Sequence, residues 1–327
     1  MFLILFIIFK NIIYIIFYLN MSQDNNSKYD NLFKNLLTKE SSYEFFLKAQ
    51  SSLKRELQKN PNSINFLSLL NYAINHLKKF NEKESIYSLL NYSLEQYTQK
   101  NKKIPENIEK QKFISGFLEA FSLSSGLPNT SNFRMKFIFY CKKNDIDEKT
   151  LRLCKCYDIF GDESINEKEY TEAYNYIIKA ENVELLFKLF DIFEKFSEDK
   201  SFLEDDDPFN KGNLILKDLT KEEFEILLMR TTLQLLMKKK IEIAFEFIGK
   251  YYNKIKDDKK NENNHIAINF SYLLVCLLIR EPKGFDHFWA LINLYEGIIH
   301  KQYDIQFYLN EISIIFYNKP FLQKQPK

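Results

Sequence analysis

The chain has 327 residues, of which 45% are hydrophobic and 28% charged, and its formal net charge is +2. These values are ordinary for a globular protein, and a charge so close to balance gives no global electrostatic argument for a nucleic-acid partner. Only seven Gly and seven Pro occur, so the residues that β-hairpin turns need are scarce. The four cysteines lack paired spacing, which favours a reducing compartment over a disulfide framework.

The chain opens with an apolar segment at residues 2–19. Its length is just enough for a bilayer span of roughly 17–25 residues, but Lys10 at its middle costs about 2.5–3.5 kcal/mol on insertion. No basic residue precedes the segment and no small-residue cleavage site follows it, which argues against a secretory signal. We therefore expect synthesis to start at Met21 and residues 1–20 to be absent from the mature protein. A signal anchor at residues 2–19 is the alternative.

From Tyr43 onward the apolar residues recur at helical spacing, after a start at residues 21–42 that we expect to be disordered or weakly helical. Two of the first predicted helices carry clear apolar stripes. The stripes consist of Phe46, Leu47, Ala49, Leu53 and Leu57 in one helix and of Ile86, Leu89, Leu90 and Leu94 in the other. Residues 148–160 read as a single helix, and that reading places Cys154 and Cys156 two positions apart on it.

A polar, acidic stretch at residues 201–219 is the best internal boundary. It divides the helical part into an N-terminal half, 43–200, and a C-terminal half, 220–320, which a tail at 321–327 follows. The helix that begins after the boundary, 221–237, is apolar nearly all round, so we place it deep between its neighbours. Lys238–Lys240 is predicted to form the turn after this helix.

A later helix is predicted to span 285–299, and we expect its Trp289 to lie in the core.

About a dozen helices with short connections and no strand–helix alternation define the fold class. Consecutive helices of this length, joined by short turns, are typical of an α-solenoid. The sequence therefore predicts an all-α fold, an α-solenoid of antiparallel helix pairs with degenerate, TPR-like repeats.

The sequence contains no catalytic constellation. The phosphate-binding, dinucleotide-binding, zinc-protease and serine-hydrolase motifs are absent, and the four histidines are scattered. The acidic run at 204–207 lacks the alternating donors and the glycine of a calcium loop. We expect no catalytic residues, no metal, no cofactor and no enzymatic activity. An enzyme with an unrecognised site at Asp205–Asp207 is an alternative.

Three stretches together resemble one known family. They are YTEAYNYIIKAEN at 170–182, MRTTLQLLMKKKIEIAFEFIGKYYNK at 229–254, and FWALINLYEGIIHKQYDIQFYLNEISIIFYNKP at 288–320. Their order and spacing are similar to those of the Golgi-to-ER traffic protein 4 family. The resemblance implies a cytosolic, non-enzymatic α-solenoid in the delivery of tail-anchored membrane proteins. It also implies two partners, a targeting ATPase on the N-terminal half and a ubiquitin-like adaptor on the C-terminal half, without nucleic acid, a small-molecule substrate or membrane insertion.

The resemblance also implies two sets of contact residues. The ATPase-facing candidates are basic positions on the first helices, namely Lys48, Lys54, Arg55, Lys78 and Lys79. The adaptor-facing candidates surround an insertion near residues 253–266, namely Tyr251, Tyr252, Ile255, Ile266 and Phe270. In the family a hairpin-like insertion near this place clamps the adaptor, whereas KIKDDKKNENNH here is more polar than a stable hairpin requires.

A different class of function stays open. Helical-repeat scaffold subunits of other complexes, such as proteasome-lid-like or vesicle-coat-like proteins, share the paired-helix pattern, with or without an anchor at residues 2–19. Lid-like subunits end in a winged-helix domain with strands, and no strand pattern occurs near residue 320, which counts against that version.

Overall fold

The computed structural model describes residues 28–59, 64–99, 107–123, 125–127, 130–198, 219–256, 265–281 and 284–320. The expectations for residues 1–20, for the first part of 21–42, for nearly all of 201–219, for most of the polar insertion near 253–266 and for 321–327 lie outside these ranges. Within them the regular structure is helical, as predicted. A division into two compact units falls between Ile159 and Phe160.

The helices up to this division begin with α1 at residues 28–33 and a short 3-10 turn at Lys39–Ser41. The others are α2 (Ser42–Lys59), α3 (Ile64–Lys79), α4 (Lys83–Gln99), α5 (Asn107–Leu123), α6 (Ser131–Lys143), α7 (Glu148–Leu153) and α8 (Cys156–Asn166), within which the division falls. The second unit continues with α9 (Tyr170–Ala180), α10 (Val183–Glu198), α11 (Lys221–Met237), α12 (Ile241–Ile255), α13 (Ile266–Arg280), α14 (Phe285–Leu294), α15 (Glu296–Ile299) and α16 (Tyr303–Tyr317).

In the first unit the helices α2, α3 and α4 each pack on the next helix and on the one after that. Helix α2 contacts α3 and α4, α3 contacts α4 and α5, and α4 contacts α5 and α6. Stacking of this kind buries one continuous core between successive helix pairs. The predicted all-α solenoid of helix pairs is therefore confirmed.

The buried side of α2 differs from the predicted stripe, because Phe45 takes the place of Phe46 and Leu47. Phe45, Ala49, Leu53 and Leu57 are buried, whereas the predicted Phe46 is only partly buried and the predicted Leu47 is exposed. The ring of Phe45 lies 4.6 Å from that of Phe33 in α1, so packing with α1 selects Phe45. The predicted stripe of α4, from Ile86 to Leu94, is buried as expected.

In the second unit α11 lies at the centre of the packing. It contacts α10, α12, α13 and the last helix, α16, and its sequence is apolar all round because nearly every side is covered. A capping box fixes its start, since the Glu223 amide donates to the Thr220 hydroxyl and the Glu223 carboxylate accepts from the Thr220 amide. Lys239 turns the chain with φ at 59°, which confirms the predicted turn.

Two predicted helices are each broken once. Residues 148–160 divide into α7 and α8 at Lys155, whose φ is 57°, so Cys154 and Cys156 lie on either side of a turn and the prediction of one shared helix was wrong. Residues 285–299 divide into α14 and α15 at Tyr295. Trp289 is 42% exposed, and the prediction that it lies in the core was also wrong.

Candidate partner-binding surfaces

The first surface is the outer side of α2, here called the α2 face, formed by Tyr43, Leu47, Lys48, Lys54 and Arg55. All five side chains are exposed, since Phe45, Ala49 and Leu53 take the inner side. The three predicted basic residues therefore do share one exposed helix. Tyr43 and Leu47 were missed as surface residues, because their helical spacing suits a core stripe equally well.

The other two basic candidates lie elsewhere. Lys78 and Lys79 are exposed at the end of α3, next to the start of α2, since the Ser42 hydroxyl donates to the Glu82 carboxylate over 3.1 Å. At 1.5 Å per residue, the start of α2 is about 18 Å from Lys54 along the helix. The five basic residues therefore form two groups rather than one patch.

The second surface was predicted around the start of α13, and the structure divides its residues between core and surface. Tyr251 is 1% exposed and Phe270 is 0% exposed. Burial, followed by the charges of Asp191 and Glu194, raises the pKa of the Tyr251 phenol. Because these two side chains fill the core of the second unit, they are not accessible to a partner.

The remaining three predicted residues are accessible. Ile266 is exposed at the first turn of α13, while Tyr252 and Ile255 are partly buried near the end of α12. Their contact with a partner stays a prediction.

An exposed aromatic and aliphatic surface extends from these positions across α12 and α13. The rings of Tyr252 and Tyr272 stack with centroids 3.9 Å apart and planes 5° apart, and Phe245 stacks on Tyr272 at 5.9 Å. Leu273 and Ile279 extend the apolar side of α13 beyond these rings, and both are exposed. We call this surface the α12–α13 face, and its members are Phe245, Tyr252, Ile266, Tyr272, Leu273 and Ile279.

The polar groups around this face are few. The pKa of the Tyr272 phenol is raised, by partial burial first and then by its hydrogen bond with Cys276 and the nearby Tyr252, so Tyr272 presents a neutral hydroxyl. Glu242 and Glu246 on α12 and Arg280 on α13 are exposed on the same two helices. An apolar centre with charges at its edge is the usual composition of a protein interface.

The sequence did carry a signal for the residues that were missed. In IAINFSYLLVCLLIR, the segment of α13, apolar residues occupy most of the circumference, and the stripe of Asn269, Cys276 and Arg280 is narrow. A helix with one solvent-facing side should show a polar stripe as wide as that side. A narrow stripe indicates either nearly full burial or exposed apolar residues beside it, and the exposed Leu273 and Ile279 show the second.

Metal binding, thiol reactivity and membrane spanning are further properties that bear on function in the described part of the chain. No group of His, Cys, Asp or Glu there could hold a metal ion. Burial raises the pKa of the Cys141 and Cys156 thiols, so both are poor nucleophiles. Within the same ranges, no helix combines the length and apolar composition that crossing a bilayer requires.

Comparison with known proteins decides the family. The model of the GET4 family, Golgi to ER traffic protein 4, matches residues 65–327. This chain belongs to that family. The match includes the whole α12–α13 face and Lys78 and Lys79, and it begins after α2, which carries the α2 face.

A solved structure shows the same fold. The crystal structure of C. therm. Get4 superposes with a TM-score of 0.59 at 15% sequence identity, and the match covers 92% of each chain. No curated protein matches the chain in sequence. The GET4 fold is thus retained at low identity, and the side chains at each surface must be judged from this chain itself.

Proposed function

We propose that this GET4-family chain is a non-enzymatic adaptor in the post-translational delivery of tail-anchored membrane proteins to the endoplasmic reticulum. It bridges a targeting ATPase and a ubiquitin-like co-chaperone adaptor in the cytosol. Family membership supports a role in this pathway, and the observation that carries the assignment of a binding surface is the exposed apolar α12–α13 face in the second unit. An apolar area of this kind on an otherwise ordinary surface marks a site of protein association.

The α12–α13 face is proposed to bind the ubiquitin-like adaptor. Its stacked tyrosines are rigid and amphipathic, and such side chains contribute most of the binding energy at many interfaces. Tyr252 and Ile266, two of the predicted adaptor contacts, lie within it, and Ile255 lies one turn after Tyr252 on the same helix. Of the predicted set these three are retained, with Tyr272, Leu273 and Phe245 added.

The α2 face is proposed to bind the ATPase. Lys48, Lys54 and Arg55 provide positive charge on one exposed helix side, and exposed charges mainly raise the association rate with a partner of opposite sign. Tyr43 and Leu47 provide the apolar contact that charge alone lacks. Lys78 and Lys79, at the end of α3 and next to the start of α2, form a second basic group that is proposed to contact the same ATPase.

Purification of the native protein from cytosol, with partners identified by mass spectrometry, tests the proposal. We expect a ubiquitin-like protein in a stable complex and an ATPase whose recovery changes with added nucleotide. Recovery of subunits of a proteasome lid or a vesicle coat in place of both partners would favour the scaffold alternative. The N-terminal peptide of the same sample tests whether the protein starts at Met21.

A further inference from the structure

A buried acid–imidazole pair joins α11 to the start of α13. The Nδ1 atom of His265, the residue before α13, lies 2.7 Å from Oε1 of Glu225 in α11. Both residues are more than nine-tenths buried. They are the ionisable residues among the buried side chains of two helices that pack on each other, whose other buried polar side chains, Thr231, Thr232 and Ser271, are uncharged.

The pair is expensive to bury. Desolvation raises the pKa of Glu225, while the hydrogen bond and charge of His265 and the charge of Lys221 act in the opposite direction and Glu222 adds to the rise. Well-packed apolar residues of similar volume commonly stabilise a core as much as a buried pair does, or more. Stability by itself therefore does not explain why this interface contains Glu225 and His265.

The composition of α13 supplies an explanation. Its inner side presents Phe270, Leu274 and Leu278, which are at most 1% exposed, and the apolar Leu273 and Ile279 lie exposed on either flank of a narrow outer stripe. That stripe consists of Asn269, Cys276 and Arg280. It excludes a large rotation of the helix, because Arg280 would then enter the core, but a small rotation toward either flank would exchange one apolar residue for another. The hydrophobic pattern thus leaves small rotations of α13 weakly determined.

We propose that Glu225 and His265 are positioning residues that set the rotation of α13 on α11 and so hold the α12–α13 face in the form that the adaptor binds. A hydrogen bond between buried partners has one satisfactory geometry and a high penalty for every other, since the alternative leaves a desolvated charge without a partner. The role assigned to the partner rests on the function proposed above, whereas the control of rotation does not.

The first test compares stability with affinity in an apolar replacement, Glu225→Met/His265→Leu. We expect its urea midpoint to equal or exceed that of the parent protein. We expect its affinity for the N-terminal region of the ubiquitin-like adaptor from the same organism, measured by calorimetry, to fall at least tenfold. Glu225→Gln, which retains a hydrogen-bonding amide, should stay within about threefold of the parent.

The chain offers a matched control. His300 and Glu296 form an exposed pair on the surface of the same unit, with Nε2 and Oε1 3.3 Å apart. Glu296→Met/His300→Leu makes the same chemical changes outside the core, and we expect both affinity and midpoint to stay at the parent values. A tenfold loss in this control would show that the measured effect is not specific to the buried pair.

The second test needs no partner. Cys276 lies on α13 beside Tyr272 and is partly exposed, so its labelling rate by a thiol reagent reports how α13 is turned. In a Cys154→Ser background, the apolar replacement should change that rate several-fold and the control should not. If the parent protein fails to bind the adaptor, the proposed function fails, and the labelling rates still decide whether the pair controls rotation.

The proposal is overturned if the apolar replacement leaves both the affinity and the Cys276 labelling rate unchanged. It is also overturned if the affinity falls together with the urea midpoint, because the pair is then an ordinary stabilising contact.

Discussion

Tyr252 and Tyr272 stack face to face at 3.9 Å, one from α12 and one from α13, on the exposed side of the second unit. Stacked ring pairs of this kind hold each other in one orientation, and aromatic pairs add about 0.5–1.5 kcal/mol beyond the area they bury. The pair therefore joins two helices and at the same time forms a flat, rigid centre for a binding surface.

Replacement of Tyr272 by Ala should lower the affinity for the ubiquitin-like adaptor about tenfold or more. Truncation of a central aromatic side chain commonly costs an interface about 2 kcal/mol or more. Calorimetry with the purified partner measures the change. Tyr303→Ala is the control, because Tyr303 is 85% exposed and lies outside the face. An equal loss for the two variants would contradict the assignment of the face.

Charge reversal on the α2 face should slow binding of the ATPase. For Lys54→Glu/Arg55→Glu we expect an association rate lower by about tenfold at low salt, with a smaller dependence on ionic strength, since exposed charges act mainly on the encounter. Stopped-flow measurement at several salt concentrations gives both quantities. Lys142→Glu/Lys149→Glu changes the net charge equally from exposed positions on α6 and α7, and it should leave the rate near that of the parent.

Two glycines test the packing of the second unit. A Cβ at Gly161 in α8 would lie 2.7 Å from Cγ1 of Ile177 in α9, whereas a Cβ at Gly249 in α12 would meet no atom within 4 Å. Gly161→Ala should therefore destabilise the protein by about 1–3 kcal/mol, and Gly249→Ala should stabilise it by about 0.5–1 kcal/mol. Urea unfolding measures both, and a Gly161→Ala variant as stable as the parent would show that α8 and α9 separate without cost.

His76 should make the first unit sensitive to acid. It is buried between the rings of Phe45 and Phe80, and burial, followed by the charge of Lys79, lowers its pKa, against a smaller rise from Asp30. As the pH falls below about 6.5, the unfolded chain takes up a proton before the folded one does, so the free energy of unfolding decreases.

His76→Phe and His76→Gln should both lose this part of the pH dependence, whatever their stability at pH 7.5. Urea midpoints at pH 7.5 and 5.5 give the comparison. The variants separate charge from packing, because the amide is polar but does not titrate. A decrease on acidification equal to that of the parent in both variants would assign the sensitivity to other groups.

The elements that the sequence predicts well are those whose ends carry their own chemistry. Helix α11 begins at a capping box and ends at a run of three lysines, so its range could be read directly. The break at Lys155 had no such signal, because a lysine with φ at 57° replaces the glycine that usually marks this conformation. Helix α1 lies within residues 21–42, for which composition does not predict a stable helix. The contact of its Phe33 with Phe45, which determines the buried side of α2, could therefore not be predicted.

The candidate surfaces were predictable as regions but not residue by residue. Tyr251 and Tyr252 are adjacent, and both suit an interface by residue type, yet one is buried in the core and the other stacks on Tyr272. In α13 the same ambiguity applies to Phe270, which is buried, and Leu273, which is exposed. Periodicity identifies a helix and its apolar content, whereas packing against α11 determines which apolar residues remain for a partner.

The measurement that tests the central claim most directly is the mass of the complex formed when this protein, the ubiquitin-like adaptor and the ATPase are mixed. Light scattering coupled to size exclusion, with and without nucleotide, gives that mass. The account predicts a single species that contains all three proteins, in which Tyr272→Ala lowers the share of complexes with the adaptor and Lys54→Glu/Arg55→Glu lowers the share with the ATPase. Competition between the two partners, so that no species contains both, would contradict a bridge.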